Sequence, residues 1–154
     1  MKKISYFLVA MSVGAFFLSP YNTDTAPQKK KVVTVQCSPL FSRAGGNFAT
    51  VTGKISLKLI NNGAYVGQGN LSISVSQGGI RNGGIILEEK DIPVEAYFDD
   101  ILLPTLQAVP ARGVNSKIST FFLFQKNPEA EKPLYSRIET KDNEVYETDC
   151  ELKY

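Results

Sequence analysis

The chain has 154 residues, two cysteines and no histidine, and its 17 basic and 15 acidic side chains give a formal net charge of +2. The absence of histidine excludes Ser-His-Asp and Cys-His catalysis and histidine-ligated zinc sites. We therefore expect no metal site and no cofactor, and we also expect no nucleic-acid partner.

The N-terminal segment has the anatomy of a secretory signal. Lys2 and Lys3 precede an apolar run from Ile4 to about Leu18, which is shorter than the ~20 residues of a membrane-spanning helix. We predict a signal peptide over residues 1–19 and an exported chain, secreted or periplasmic. The alternative is an uncleaved membrane anchor, because no clean small-x-small cleavage site follows the apolar run.

The segment after the apolar run differs from the rest of the chain in composition. Residues 20–31 are polar, contain two prolines and lack an apolar period, which predicts a flexible linker. The remaining residues, 32–154, have the size of one domain with a single core.

Strict alternation of apolar and polar residues marks two strands, at residues 54–60 and 70–76. A period of two over such lengths is typical of strands with one buried face. Asn62 and Gly63 between them favour a tight turn, and Gly67 and Gly69 predict a bulge or an irregular return strand. The polar side of this hairpin is rich in serine and lysine, so it either binds a glycan or surface polymer or is the wet side of a half-buried sheet.

Similar patterns predict further strands at VVTVQC, IILEEKDIPVEAYF, KISTFFLFQ, YSRIET and VYETDCELKY, with a break near Pro93. The run from Phe121 to Phe124 is apolar on both sides, which suits a strand covered on both faces. The fold class is therefore all-β, a two-layer antiparallel sandwich or, as the alternative, a small β-barrel.

One segment, DDILLPTLQAV, favours a short helix instead. Asp99 or Asp100 would cap it, and Pro104 limits it to a turn or two. We expect its apolar part, from Ile101 to Val109, to plug one end of the sandwich, and the alternative is an exposed patch for a partner.

The two cysteines lie on the first and last predicted strands. Cys37 shares the inward side of its strand with Val33 and Val35, and Cys150 shares its inward side with Tyr146 and Thr148. Two inward cysteines in an exported chain predict a disulfide. Since the Cα atoms of a disulfide lie within about 7 Å, the first and last strands must be neighbours in one sheet or face each other across the core.

Charge is distributed unevenly along the chain. Residues 20–85 contain seven basic side chains against Asp24 alone, whereas residues 86–154 contain fourteen acidic and eight basic side chains. If the two halves form separate surfaces, the acidic one is suited to a basic partner. We favour the alternative, in which strands of both halves interleave and their charges pair across strands.

Candidate site residues are few. Arg81, framed by two glycine pairs in QGGIRNGGI, is a weak candidate for contact with an anionic ligand. Asp99 and Asp100 are weak binding candidates within a run of carboxylates that begins at Glu88. No residue pattern identifies a catalytic group or a metal ligand.

Three classes of function fit these observations. The first is a non-catalytic exported domain that binds a protein or a surface polymer through loops or an open sheet face. The second is a carrier of a small apolar ligand inside a β-barrel, which the aromatic strand around Phe121 would line. The third is a carboxylate-based hydrolase.

Overall fold

In a computed structural model, the described residues 30–39, 46–77, 84–101, 104–125, 129 and 134–153 form an all-β domain. Eight strands follow one another along the chain: β1 (Lys30–Cys37), β2 (Asn47–Asn61), β3 (Ala64–Gln77), β4 (Ile85–Asp99), β5 (Thr105–Pro110), β6 (Ile118–Gln125), β7 (Leu134–Thr140) and β8 (Val145–Lys153). β1 begins two residues before the predicted start of the domain. The predicted signal peptide and the rest of the predicted linker lie outside the described residues.

The strands form a closed antiparallel barrel in which each strand pairs with the next and β8 pairs with β1. The all-β class and the barrel alternative are confirmed, and the two-layer sandwich is not. Both architectures require the same alternation of inward and outward residues, so the alternation did not distinguish them. Within the described residues, no helix is long and apolar enough to span a membrane.

Inward side chains fill the barrel. Phe98, Phe121 and Leu123 are fully buried, and they belong to one continuous core to which every strand contributes. On the outward side of β6, Phe124 is 39% exposed, so the prediction that this strand is covered on both faces is wrong. A single-walled barrel covers only the inner face of each strand.

The predicted disulfide joins the first and last strands. Cys37 lies directly opposite Cys150 in the β1–β8 ladder, with their Cα atoms 4.0 Å apart and a sequence separation of 113. Both side chains are buried. The bridge therefore fixes the register of the pairing that closes the barrel.

Three glycines allow the backbones of β2 and β3 to approach closely. A Cβ added at Gly67 would lie 2.0 Å from the carbonyl oxygen of Ser56, and one at Gly69 would lie 2.1 Å from that of Lys54. Gly53 of β2 is similarly restricted by β3. The ladder is regular across Gly67 and Gly69, so the predicted bulge there is wrong. These glycines mark a close backbone approach.

Two other local predictions differ from the structure. The expected break near Pro93 lies two residues earlier, at Asp91, which has a φ of 51° and donates its backbone N–H to Ser72 Oγ at 2.9 Å. Residues 105–109, predicted as part of a helix or plug, belong to β5, which lies between β4 and β6. Pro104 directly precedes β5, a position where a strand tolerates proline.

The barrel separates the two halves of the chain. Because every strand neighbours the next one in sequence, β1–β3 form one side of the barrel and β4–β8 form the other. Strands of the two halves pair with each other at the β3–β4 and β1–β8 ladders. The predicted interleaving of the charged halves is therefore wrong, and a basic side and an acidic side result.

We predict that removing the disulfide lowers stability. The double variant Cys37→Ala/Cys150→Ala should lose about 2–4 kcal/mol of unfolding free energy, because its unfolded chain regains the freedom that the bridge restricts. Urea unfolding of the oxidised protein and the variant measures the difference. Equal midpoints would mean that strand pairing alone holds the β1–β8 seam.

A second prediction concerns the close approach of β2 and β3. Gly67→Ala should destabilise the barrel by about 1–3 kcal/mol or more, since its methyl group overlaps the backbone of β2. Gly84→Ala is the matched control, because a Cβ at Gly84 meets no atom within 4 Å. Thermal unfolding of both variants tests this, and an equal effect at both positions would contradict it.

Candidate functional site

Two of the three binding candidates predicted from the sequence, Asp99 and Asp100, are among the described residues, and both contact other groups of this chain. Asp100 forms an ion pair with Lys31, with 2.9 Å between Oδ2 and Nζ. Asp99 Oδ1 accepts a hydrogen bond from the backbone N–H of Ile101 at 2.9 Å. Arg81 lies outside the described residues. The structure thus brings Asp99 and Asp100 to the end of β4, with partners from this chain.

Lys31 covers one end of the barrel. It lies on the inward side of β1, and its Nζ is 4.9 Å from the ring centroid of Phe98 and 5.5 Å from that of Tyr65. Its side chain is only 21% exposed. Asp100 therefore balances a half-buried cation that rests on two aromatic rings, which gives this carboxylate a structural role.

The carboxylates at the start of the acidic run also bind neighbouring groups. Glu89 accepts hydrogen bonds from Ser116 Oγ at 2.5 Å and from the backbone N–H of Lys117 at 2.6 Å. Glu88 pairs with Lys90 at 3.0 Å. Glu89 thereby ties β4 to the loop before β6. Among the described residues, no group of three or more His, Cys, Asp or Glu side chains is arranged to hold a metal ion.

An open groove of about 810 Å³ lies on the outer face of β2–β5. The register of these strands aligns its side chains in two rows. The first row contains Lys58, Val66, Tyr97 and Gln107. The second row contains Ser56, Gln68, Glu95 and Val109. We call this site the β2–β5 groove.

The β2–β5 groove combines an apolar surface with hydrogen-bonding groups. Tyr97 is 43% exposed and Val66 39% exposed, and Val109 adds a third apolar side chain. The amides of Gln68 and Gln107 flank them and can both donate and accept hydrogen bonds. This composition suits a ligand with flat apolar faces and many polar groups.

Sequence reasoning identified only part of this groove. The serine and lysine side of β2 was expected to face solvent, and Ser56 and Lys58 do so. Tyr97 and Gln107 were missed, because only the pairing of β3 with β4 and of β4 with β5 brings them beside Val66. The available signal was an aromatic residue at an outward position of an alternating strand.

A second, more polar depression of about 560 Å³ lies farther along β1–β4. Lys54 and Asn70, two residues from Ser56 and Gln68 on the same strands, line it. Asp91 and Ser72 form its opposite side. The outer face of β2 and β3 is therefore polar in both depressions.

A third depression, of about 530 Å³, borders β8. The Tyr135 hydroxyl donates to Glu147, and the Tyr146 hydroxyl donates to Glu144 at 2.7 Å. The bond to the Glu144 carboxylate and burial together raise the pKa of Tyr146 above its ordinary value of 10.0. Thr148 also lines this depression, and its buried Oγ1 has no hydrogen-bond partner among the described residues.

Comparison with protein-family models, with curated proteins and with solved structures found no match to this chain.

The buried hydroxyl of Thr148 generates a prediction. Thr148→Val should raise the unfolding free energy by about 1 kcal/mol, because valine keeps the shape and removes an unsatisfied polar group. Thr140→Val is the control, since Thr140 Oγ1 accepts a hydrogen bond from the backbone N–H of Glu144 at 3.0 Å, and this variant should lose stability. Urea unfolding measures both, and a loss of stability in Thr148→Val would contradict the assignment.

Proposed function

We propose that this protein is an exported, non-catalytic β-barrel domain that binds a protein or a surface polymer on its outer face, in the β2–β5 groove. The observation that carries the proposal is the groove of about 810 Å³, with the exposed side chains of Tyr97 and Val66 at its centre. Single exposed apolar residues are ordinary on protein surfaces, but an exposed aromatic side chain within a concave site is typical of binding surfaces.

The architecture supports binding on the outside of the barrel. Side chains such as Phe98 and Phe121 occupy the interior, and the disulfide links the strands at the closing seam. A rigid sheet holds its outward side chains in place before the ligand arrives, which lowers the entropic cost of binding. Export is supported by the signal-like residues 1–19 and by the disulfide, which persists in oxidising compartments.

The two other classes of function have less support. The interior of an eight-stranded barrel either holds one small ligand or is filled by the barrel's own side chains. The fully buried Phe98, Phe121 and Leu123 favour a filled interior, which gives a carrier less support. For a hydrolase, four described carboxylates of the acidic run, those of Glu88, Glu89, Asp99 and Asp100, would have to leave their present partners. Glu89 binds Ser116 and Lys117, and Asp100 binds Lys31.

Binding at the groove predicts a specific loss of affinity in Tyr97→Ala. Truncation of a central aromatic contact in an interface costs about 2 kcal/mol or more, so the dissociation constant should rise at least tenfold. The experiment passes a cell-surface preparation, containing both proteins and polysaccharides, over immobilised wild-type and variant domains and measures each retained component.

The control for this experiment is Phe124→Ala. Phe124 is 39% exposed, similar to Tyr97, and it lies outside the groove on β6. It should retain the same components as the wild type. If the folded Tyr97→Ala domain retains them equally well, binding occurs elsewhere and the proposed site is wrong.

A further inference from the structure

The charged side chains that strands β1–β3 place on their outer face are all positive among the described residues. Its outward lysines are Lys30, Lys54 and Lys58, and Lys30 lies directly opposite Lys58 in the β1–β2 ladder. The described residues of β1–β3 include no Asp or Glu. None of these three lysines forms an ion pair with another described residue. The cations are therefore available to an acidic ligand that crosses this face.

The cationic surface is continuous with the aromatic site. Lys58 lines the β2–β5 groove in the same row as Val66 and Tyr97. Lys54 lies four residues away on the same strand, about 13 Å at the rise of an extended strand, and lines the neighbouring depression. A ligand that contacts both lysines and Tyr97 must be long, with charged groups spaced along it.

The closed barrel disfavours an extended polypeptide as this ligand. Sheets capture extended peptides by adding them as a strand at an exposed edge, and the segments of β2, β3 and β4 that form the groove are already paired on both sides. The groove is also a shallow site for an amphipathic helix, because the outward apolar side chains among its described residues are those of Val66, Tyr97 and Val109.

The side chains around Tyr97 match the chemistry of a sugar. An aromatic ring offers a flat apolar face for the C–H surface of a pyranose, and Gln68, Gln107 and Ser56 supply donors and acceptors for hydroxyl groups. Glu95, in the second row, and Asp91, in the neighbouring depression, accept hydrogen bonds from hydroxyls and repel acidic groups. The acidic groups of the ligand should therefore face the lysines.

Resting on the proposed function, we propose that the β2–β5 groove and its flanking lysines bind an acidic polysaccharide. A sugar ring lies against Tyr97, and carboxylate groups of the chain lie near Lys58 and Lys54.

Polygalacturonate, in which every ring carries a carboxylate, is the probe, and dextran is the neutral polymer for comparison. Isothermal titration should detect binding of polygalacturonate and no binding of dextran. Because exposed charges are screened as the Debye length falls from about 10 Å to about 3 Å between 0.1 M and 1 M salt, affinity should fall over this range.

The variant Lys54→Gln/Lys58→Gln should bind polygalacturonate about tenfold more weakly, since each exposed ion pair contributes up to about 1 kcal/mol. Lys117→Gln, an exposed lysine in the loop before β6, is the matched control and should bind as the wild type does. Tyr97→Ala should lose affinity at both salt concentrations, because its contact is not ionic.

Five outcomes would overturn this inference. Equal binding of dextran, or no effect of the Lys54 and Lys58 substitutions, would show a site indifferent to acidic groups. Equal or tighter binding of single-stranded DNA would indicate a general anion surface. If the domain retains a protein in a manner that depends on Tyr97 and binds no polysaccharide, the proposed function stands and the proposal of a polysaccharide ligand is wrong. Binding of polygalacturonate that is independent of Tyr97 would instead count against the groove itself.

Discussion

The pairing of β1 with β8 is the interaction on which the rest of this structure depends. Without it the eight strands would form an open sheet with two free edges, and the inner side chains would face water. Cys37 and Cys150 lie opposite each other within this pairing. The covalent bond therefore lies in the ladder where the first and last strands meet. It stabilises the closed barrel, whose outer surface carries the β2–β5 groove.

Part of this fold was predictable from the sequence, because a strand with one buried face alternates between apolar and polar residues. Alternation identified strands around Ile55 and Tyr146, and it placed both cysteines on inward sides. It did not distinguish a sandwich from a barrel, since the strands of both architectures show the same alternation. The helix expected near Asp100 was also wrong for residues 105–109, where pairing with both neighbouring strands outweighs weak local preference.

The candidate site was less predictable than the fold, because it depends on register. Val66, Tyr97 and Gln107 are separated along the chain and become neighbours only through the ladders of β3, β4 and β5. The charged runs led to Asp99 and Asp100, whose described partners are Ile101 and Lys31. Strand geometry dispersed Glu89, Asp99 and Asp100 among local structural contacts, and it placed Glu95 beside Gln68 in the β2–β5 groove.

The order of strands around the barrel also constrains how the protein matures. Neighbouring strands in sequence can pair as soon as both are available, but β1 must wait for the strand that is translated last among the eight. Closing the loop between β1 and β8 costs more chain entropy than forming a hairpin, so this pairing should form more slowly than the hairpins do. Oxidation of Cys37 with Cys150 therefore requires both ends of the domain to be present in the same oxidising compartment. The bond between Cys37 and Cys150 therefore forms only after all eight strands have been synthesised.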